Sequence, residues 1–507
     1  MNIKNIKTYI LSGILALSMS SCLDKYPEDS IRMDQAINTV DDMDKLVYGI
    51  YDSFKSSALY SGNLTILPDL QADFVYCVKG YSNAYGDIYR WKDIKATNTD
   101  IESVYAGLYG VINTANFLLD NVDKVKANTN NDKELDKLEQ CEGEAYFARA
   151  LAYSELIKCF CKAYDSDEQA AKELGVVLTE HYYGNEPQKR ATLKESYDFV
   201  LRDLDKAAEY LKVDEDFTGT LYDEIYFNEY TCHALRARVS LYMHRWDDAI
   251  KYASKVIDSK YYVLASCTQK IGNTSYYQYQ WTAGKSTEGI WKVGFTVNSY
   301  GGALGTIFDN YNYVTYRPDY VPETWVINSF DSNDLRAAAI FTTRTTGYEH
   351  GLQWPLLSKY FGDAEFLNNN ILHVHQPMVF RLSEQYLIRA EAYAMNGEYG
   401  KAGKDISTLR TARYSSYGGN TSMSDESSAM KIIEAERVKE LYMEGFRLND
   451  LKRWHKGFER KAADQPAANF VQSSLKVEKD DPLFVWPIPQ HELEAPGSEI
   501  QPNESNK

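Results

Sequence analysis

Two stretches of this chain repeat one helical hairpin in the same register, and that repeat constrains the fold more than any other feature. Leu235-Arg236-Ala237 aligns with Ile388-Arg389-Ala390. Ten residues after each arginine stands an aromatic residue, Trp246 and Tyr399, and three further on stands an alanine, Ala249 and Ala402. Val256 then matches Leu409, and a short turn separates the two halves each time (Met243-His244-Arg245 and Met395-Asn396-Gly397). Alanines at fixed positions let helices approach closely, and hairpins built this way bury their apolar faces only by stacking on one another. Other segments carry the same three-to-four spacing. Leu193 to Leu211 places Tyr197, Val200, Leu204, Ala207, Ala208 and Leu211 on one side. Residues 144–164 form a diverged partner for that segment. Met430 to Trp454 reads as one further amphipathic helix.

The hairpin pattern resembles a tetratricopeptide-type repeat, with small residues where helices touch and an aromatic wedge between them. The expected fold is mainly α: helical hairpin repeats form a scaffold that carries long irregular loops and a few short strands. Gly289 to Phe295 alternates as one such strand. Two stretches between the repeats are polar, aromatic and irregular. Gln71–Thr97 holds Tyr81, Tyr85, Tyr89 and Trp91; Lys260–Asp319 holds Tyr276, Tyr277, Tyr279, Trp281, Tyr300, Tyr311, Tyr313 and Tyr316. Loops on a rigid scaffold are where function concentrates. Trp246 and Trp454, in helices, are expected in the core, as are Trp291 and Trp325.

The N-terminus has Lys4 and Lys7, an apolar run from Ile10 to Met19, and then Ser20-Ser21-Cys22. This is the three-part pattern of a secretion signal, too short to span a bilayer. A cysteine directly after small residues resembles the lipobox of bacterial lipoproteins, in which the thiol is acylated. Residues 1–21 are therefore expected to be a signal peptide and Cys22 a lipid-bearing residue. The body, 22–507, divides into a helical repeat part (22–260) and a loop-rich insertion followed by further repeat helices (261–507). The net charge of -17 argues against nucleic acid and anionic lipid as partners. The six remaining cysteines are even in number, which permits disulfides in an exported chain, but the simpler reading is that they are small buried apolar residues. No CxxC or HExxH is present, and His373 and His375 form an HxH pair without a third ligand, so no metal and no cofactor are called for. Asp165-Ser166-Asp167-Glu168 lacks the rest of a calcium loop and reads as a solvated turn.

Across nearly all of the mature length the residues resemble the SusD/RagB-like nutrient-uptake lipoproteins of Gram-negative outer membranes. The resemblance begins at Cys22-Leu23-Asp24-Lys25-Tyr26-Pro27 and continues through Glu144-Ala145-Tyr146-Phe147-Ala148-Arg149-Ala150. It includes Pro322-Glu323 through Asp334-Leu335-Arg336, and Trp486-Pro487-Ile488-Pro489 with Glu492. Its most specific part runs from Glu436-Arg437 through Glu440-Leu441, Glu444-Gly445, Arg447 and Asp450-Leu451 to Arg453-Trp454. The tail Gln501-Pro502-Asn503 departs from the family's usual ending. Charges at three- and four-residue intervals in 436–454 favour hydrogen-bonded ion pairs, so this cluster is expected to fix structure rather than to catalyse.

The resemblance implies a non-catalytic, surface-exposed lipoprotein that captures oligosaccharides and hands them to a TonB-dependent, SusC-like β-barrel transporter. Sugars offer apolar C–H faces and hydroxyl edges, so flat rings beside polar side chains suit them. The two aromatic stretches supply candidate ligand-binding residues: Tyr81, Asn83, Tyr85, Tyr89 and Trp91 in the first, and Tyr276, Tyr277, Tyr279 and Trp281 in the second. Alternative readings are a surface glycoside hydrolase, a peptide-capturing RagB-like relative, or an assembly scaffold. The glycan itself is not encoded in any spacing.

Overall fold

A computed structural model describes residues 36–183, 188–213, 225–462, 470–471 and 473–507. Cys22 and the signal segment lie outside the described residues. Among the described residues, helices of seven residues or more are α1 (Val40–Phe54), α2 (Asn63–Gln71), α3 (Thr99–Asn128), α4 (Asp132–Phe160), α5 (Leu193–Tyr210), α6 (Glu229–Tyr242), α7 (Trp246–Ser259), α8 (Tyr276–Thr282), α9 (Leu382–Met395), α10 (Tyr399–Arg413), α11 (Glu426–Glu440) and α12 (Arg447–Arg453). Several begin where short polar side chains satisfy the free N–H groups of the first turn. Thr192 and Glu195 form a capping box at α5, Asn228 and Thr231 at α6, and Asp425 and Ser428 at α11.

The repeated register is structural. α6–α7 and α9–α10 are the two hairpins, and α9 packs on α7. Ala237, Leu241, Ala249 and Ala253 of the first meet Ile388 and Ala392 of the second in one apolar cluster. The equivalent turn positions His244 and Gly397 both take left-handed backbone, φ +56° and +75°. A chain that must double back within three residues needs that conformation, which glycine adopts freely and histidine at a cost. The equivalent arginines diverge. Arg389 clasps Asp405 within its own hairpin, at 2.8 Å through both Nε and Nη2. Arg236 instead pairs with Asp205 of α5 and lies over the Tyr252 ring. α4 packs against α3 and α5 in the same layered manner and carries the buried Arg149–Asp203 pair, 2.7 Å apart.

Among the described residues strands are short and pair only in twos. Val75–Cys77 and Tyr320–Pro322 pair antiparallel, with Tyr76 opposite Val321. The strand predicted at Gly289–Phe295 is Gly289–Lys292, paired with Met378–Arg381. Phe341–Thr345 and Gln353–Leu357 form a hairpin. The six described cysteines are free and buried. Trp291 is fully buried; Trp246 and Trp454 are half-buried.

Two expectations are corrected here. Residues 430–454 are not one helix. α11 ends at Glu440, Met443 and Gly445 take positive φ (+58° and +84°), and α12 restarts at Arg447. Asp69 of α2 holds this turn, accepting from the backbone N–H of Gly445 (2.9 Å) and of Arg447 (2.7 Å). Trp325 is not core: its ring is 38% exposed, with Arg447 beneath it and its indole N–H donating to the Asp73 carbonyl at 2.8 Å.

Candidate functional site

The charged residues of the C-terminal motif converge on one buried site. Arg336, Arg381 and Arg413 all reach Glu440, at 2.9, 3.0 and 2.8 Å. Arg336 also pairs with Asp334 and Glu436, Arg381 with Glu288 and Glu444, and Arg413 with Glu288. Lys359 completes the group through Glu444. Burial pushes Glu436 up, but the neighbouring Arg336, Lys439 and Arg410 outweigh it and hold the carboxyl at about 2. Carboxylates held ionised by surrounding guanidinium groups, sealed from solvent, cannot exchange protons with a ligand. Burial lowers the Lys359 ammonium to about 8, against the pull of Glu444. The motif therefore joins elements distant in sequence: Glu288, the strand Met378–Arg381, α10 and α11 meet on these charges.

α8 lies over this network, which decides the fate of the second predicted stretch. Residues 276–281 are helical, capped by Ser275 at Gln278 N–H, and not an irregular loop. Tyr277 and Trp281 point inward, 0% and 1% exposed. Lys359 Nζ sits 4.0 Å from the Trp281 ring centre, and the Arg413 guanidinium 4.5 Å from that of Tyr277. Neither ring offers a face to a ligand. Tyr276 and Tyr279 are half-buried on the same helix.

The first stretch stays nearer the surface. Asn83 is exposed; Tyr81, Tyr85 and Trp91 are half-buried. Asn83, Tyr85, Trp91 and Asp93 all take positive φ, between +53° and +68°. Such a run of left-handed non-glycine residues is costly and must be held by its surroundings. Here Arg90 binds the Tyr81 hydroxyl and donates to Asn83 Oδ1 at 2.7 Å and Asp87 Oδ1 at 3.1 Å. Tyr89 is a correction: at 2% exposure it packs on Tyr320, beneath the Arg460 guanidinium. Trp91 is wedged edge-on against Phe458 and Phe484, with its N–H on the Gln71 carbonyl at 2.5 Å.

The loop's neighbours reveal an aromatic surface that the paired-stretch reading did not single out. Ser82 donates from N–H and hydroxyl to Asp319, at 2.9 and 2.6 Å, and the Tyr320 hydroxyl reaches the Ala84 carbonyl at 2.7 Å. Tyr348 donates to the carbonyls of Arg317 and Pro318. This ties the 81–90 loop to residues 311–320 and 344–348. On that surface Tyr311 and Tyr316 stack, ring centres 4.5 Å apart and planes 23° from parallel. Tyr313, 55% exposed at φ +68°, lies 5.9 Å from Tyr311. The exposed Arg344 covers Tyr316 at 5.1 Å. The exposed Tyr313 and the half-buried, stacked Tyr311 and Tyr316, with Arg344 over Tyr316 and Arg317 next in the chain, place flat apolar rings beside hydrogen-bonding groups. The alternation of aromatic and polar residues in Tyr311-Asn312-Tyr313-Val314-Thr315-Tyr316 was the available sequence signal. The predicted residues of the two stretches have different neighbours: the 81–90 loop meets Asp319 and Tyr320 at the far end of the second stretch, whereas α8 meets the buried charges.

The model described as "SusD family" matches residues 341–503, which include Lys359, Arg381, Arg413, Glu436, Glu440 and Glu444 of the charge network but not Glu288, Asp334 or Arg336. A second, described as "Starch-binding associating with outer membrane", matches residues 22–239. No curated protein matches the chain. Among solved structures, the chain is similar to a SusD superfamily protein from Bacteroides thetaiotaomicron at 22% identity and TM-score 0.75, covering 92% of this chain and 99% of that one. A SusD-like carbohydrate binding protein from Bacteroides vulgatus matches at 19% identity and TM-score 0.71, covering 90% and 97%. Surface glycan-binding protein A from Bacteroides fluxus matches at 19% identity and TM-score 0.67, covering 92% and 100%. At these identities the likeness is one of fold.

Proposed function

This chain belongs to the SusD/RagB-like family, and from that premise we propose that it is a carbohydrate-binding protein of the outer membrane. In this reading Cys22 carries the lipid anchor, and the body captures oligosaccharides at the cell surface. It then delivers them to a TonB-dependent, SusC-like barrel without breaking a bond. The observation that carries the binding claim is the tyrosine group, the exposed Tyr313 beside the half-buried and stacked Tyr311 and Tyr316, with Arg344 over Tyr316. Solved structures of like fold bear the names of carbohydrate-binding and glycan-binding proteins, which favours sugar over peptide.

A non-catalytic role is supported by what the nearby carboxylates do. Hydrolysis of a glycoside needs two carboxyl groups facing one another across the bond. Beside the tyrosines, Asp319 is occupied by Ser82, and Asp309 is buried at 2% exposure. Affinity electrophoresis against a panel of polysaccharides tests the binding claim, with product release from the same polysaccharides testing the absence of catalysis. Retarded migration without new reducing ends is the expected result. Cleavage by the purified chain would place it among the hydrolases.

A further inference from the structure

A cavity that shares no lining residue with the tyrosine group is formed by α3, the segment after the strand Leu174–Val177 and the C-terminal tail. Its volume is about 260 Å³. Two tyrosines of α3 form the floor, Tyr105 and Tyr109, with ring centres 4.7 Å apart. The Tyr109 hydroxyl is spent on the Val177 carbonyl at 2.9 Å, which presents the ring rather than the oxygen. The strained and largely exposed Tyr183 (φ +47°, 72% exposed) stands at the mouth. Three polar groups edge the space. The side-chain amides of Asn113 and Gln188 line it, and the Glu492 carboxylate lines it with one contact to His491 at 2.8 Å. Among the described residues neither side-chain amide has a hydrogen-bond partner; Asn113 is half-buried and Gln188 exposed.

We propose that this cavity is a second binding site, for a single neutral sugar ring. A C–H face would rest on Tyr109, backed by the buried Tyr105, while hydroxyls reach Asn113, Gln188 and Glu492. The carboxylate sets the selectivity. It accepts hydrogen bonds from hydroxyls but repels a ligand that is itself an anion, and the net charge of the chain, -17, adds to that repulsion. The site extends the carbohydrate reading to different residues and shares none with the tyrosine group at 311–316.

The test is ligand-observed saturation-transfer NMR on the mature chain in which Tyr311→Ala and Tyr313→Ala disable the first site. The probes are glucose, galactose, N-acetylglucosamine and glucuronate. At least one neutral sugar is expected to bind, and glucuronate is not. Asn113→Ala, checked for unchanged melting, should weaken that binding about three- to tenfold, the worth of one hydrogen bond. Glu492→Gln should admit glucuronate. The inference is overturned if no neutral sugar binds this background, if Asn113→Ala leaves affinity unchanged, or if glucuronate binds as well as the neutral sugars. Failure of the tyrosine-group reading looks different: polysaccharide affinity of the otherwise native chain would be unaltered by Tyr311→Ala and Tyr313→Ala.

Discussion

Arg413 donates to Glu440 twice, Nη2 to Oε1 at 2.8 Å and Nε to Oε2 at 2.9 Å, with both side chains fully buried. Glu440 takes further bonds from Arg336 and Arg381. Removing its charge leaves three buried guanidinium groups short of an anion, which is more damaging than the pair is stabilising. Glu440→Gln should therefore cost about 3–5 kcal/mol in urea denaturation. A loss below about 0.5 kcal/mol would show that the network is a passenger.

The network also sets the acid limb of stability. Glu436 is held at about 2, and Glu440 well below the usual carboxylate range; in both, nearby arginines overcome the upward push of burial. A carboxylate depressed in the folded state adds stability that is present above its unfolded value near 4.5 and lost as pH falls toward the folded one. Stability should drop steeply between about pH 4.5 and 2, and Glu436→Gln should flatten that slope in pH-dependent denaturation.

Two buried acids act in the opposite sense. Burial raises Asp69 to about 7, despite its two backbone donors, and Asp309 to about 8, with only Arg344 opposing. A carboxyl raised in the folded state favours folding most below its unfolded value, and that contribution disappears as pH rises through the folded one. Asp309→Asn should therefore stabilise the chain above pH 8 relative to the parent, read as a smaller fall in melting temperature between pH 6 and 9. Equal falls would mean that Asp309 is ionised throughout.

Trp281 and Arg447 separate scaffold from site. Trp281→Ala opens a cavity beneath α8 and exposes Lys359 to a lost ring contact, so about 3–5 kcal/mol of stability should go. Arg447→Ala strands Asp73, which now accepts from Nε at 2.8 Å and Nη2 at 2.9 Å. It should also lower the melting temperature. In both, sugar affinity per folded molecule should stay unchanged; selective loss of binding at unaltered melting would move the site to these residues.

Much of the scaffold was legible because it rests on local rules. The hairpin register announced itself through Ala249 and Ala402, and the caps of α5 and α11 are written as Thr192–Glu195 and Asp425–Ser428. What could not be read was where long-range partners would take a side chain. Helical periodicity runs on through Leu441–Phe446, and only the distant Asp69, docking on Gly445 and Arg447, makes the break. In Tyr276-Tyr277-Gln278-Tyr279-Gln280-Trp281 the polar residues suggest a loop, yet the arginines that draw Tyr277 and Trp281 inward lie at 381 and 413. Tyr311, Tyr313 and Tyr316 were visible as an aromatic run, but the cover that Arg344 gives the stacked Tyr316 depends on the hairpin of Phe341–Thr345 and Gln353–Leu357 folding beside it.

The most direct measurement is calorimetric titration of one polysaccharide, found by electrophoresis, into the parent and into the Tyr311→Ala/Tyr313→Ala variant. Parent-like melting and binding weakened about five- to 150-fold are expected, in line with the loss of two stacking faces at about 0.5–1.5 kcal/mol each. Parent-like affinity in that variant would contradict it.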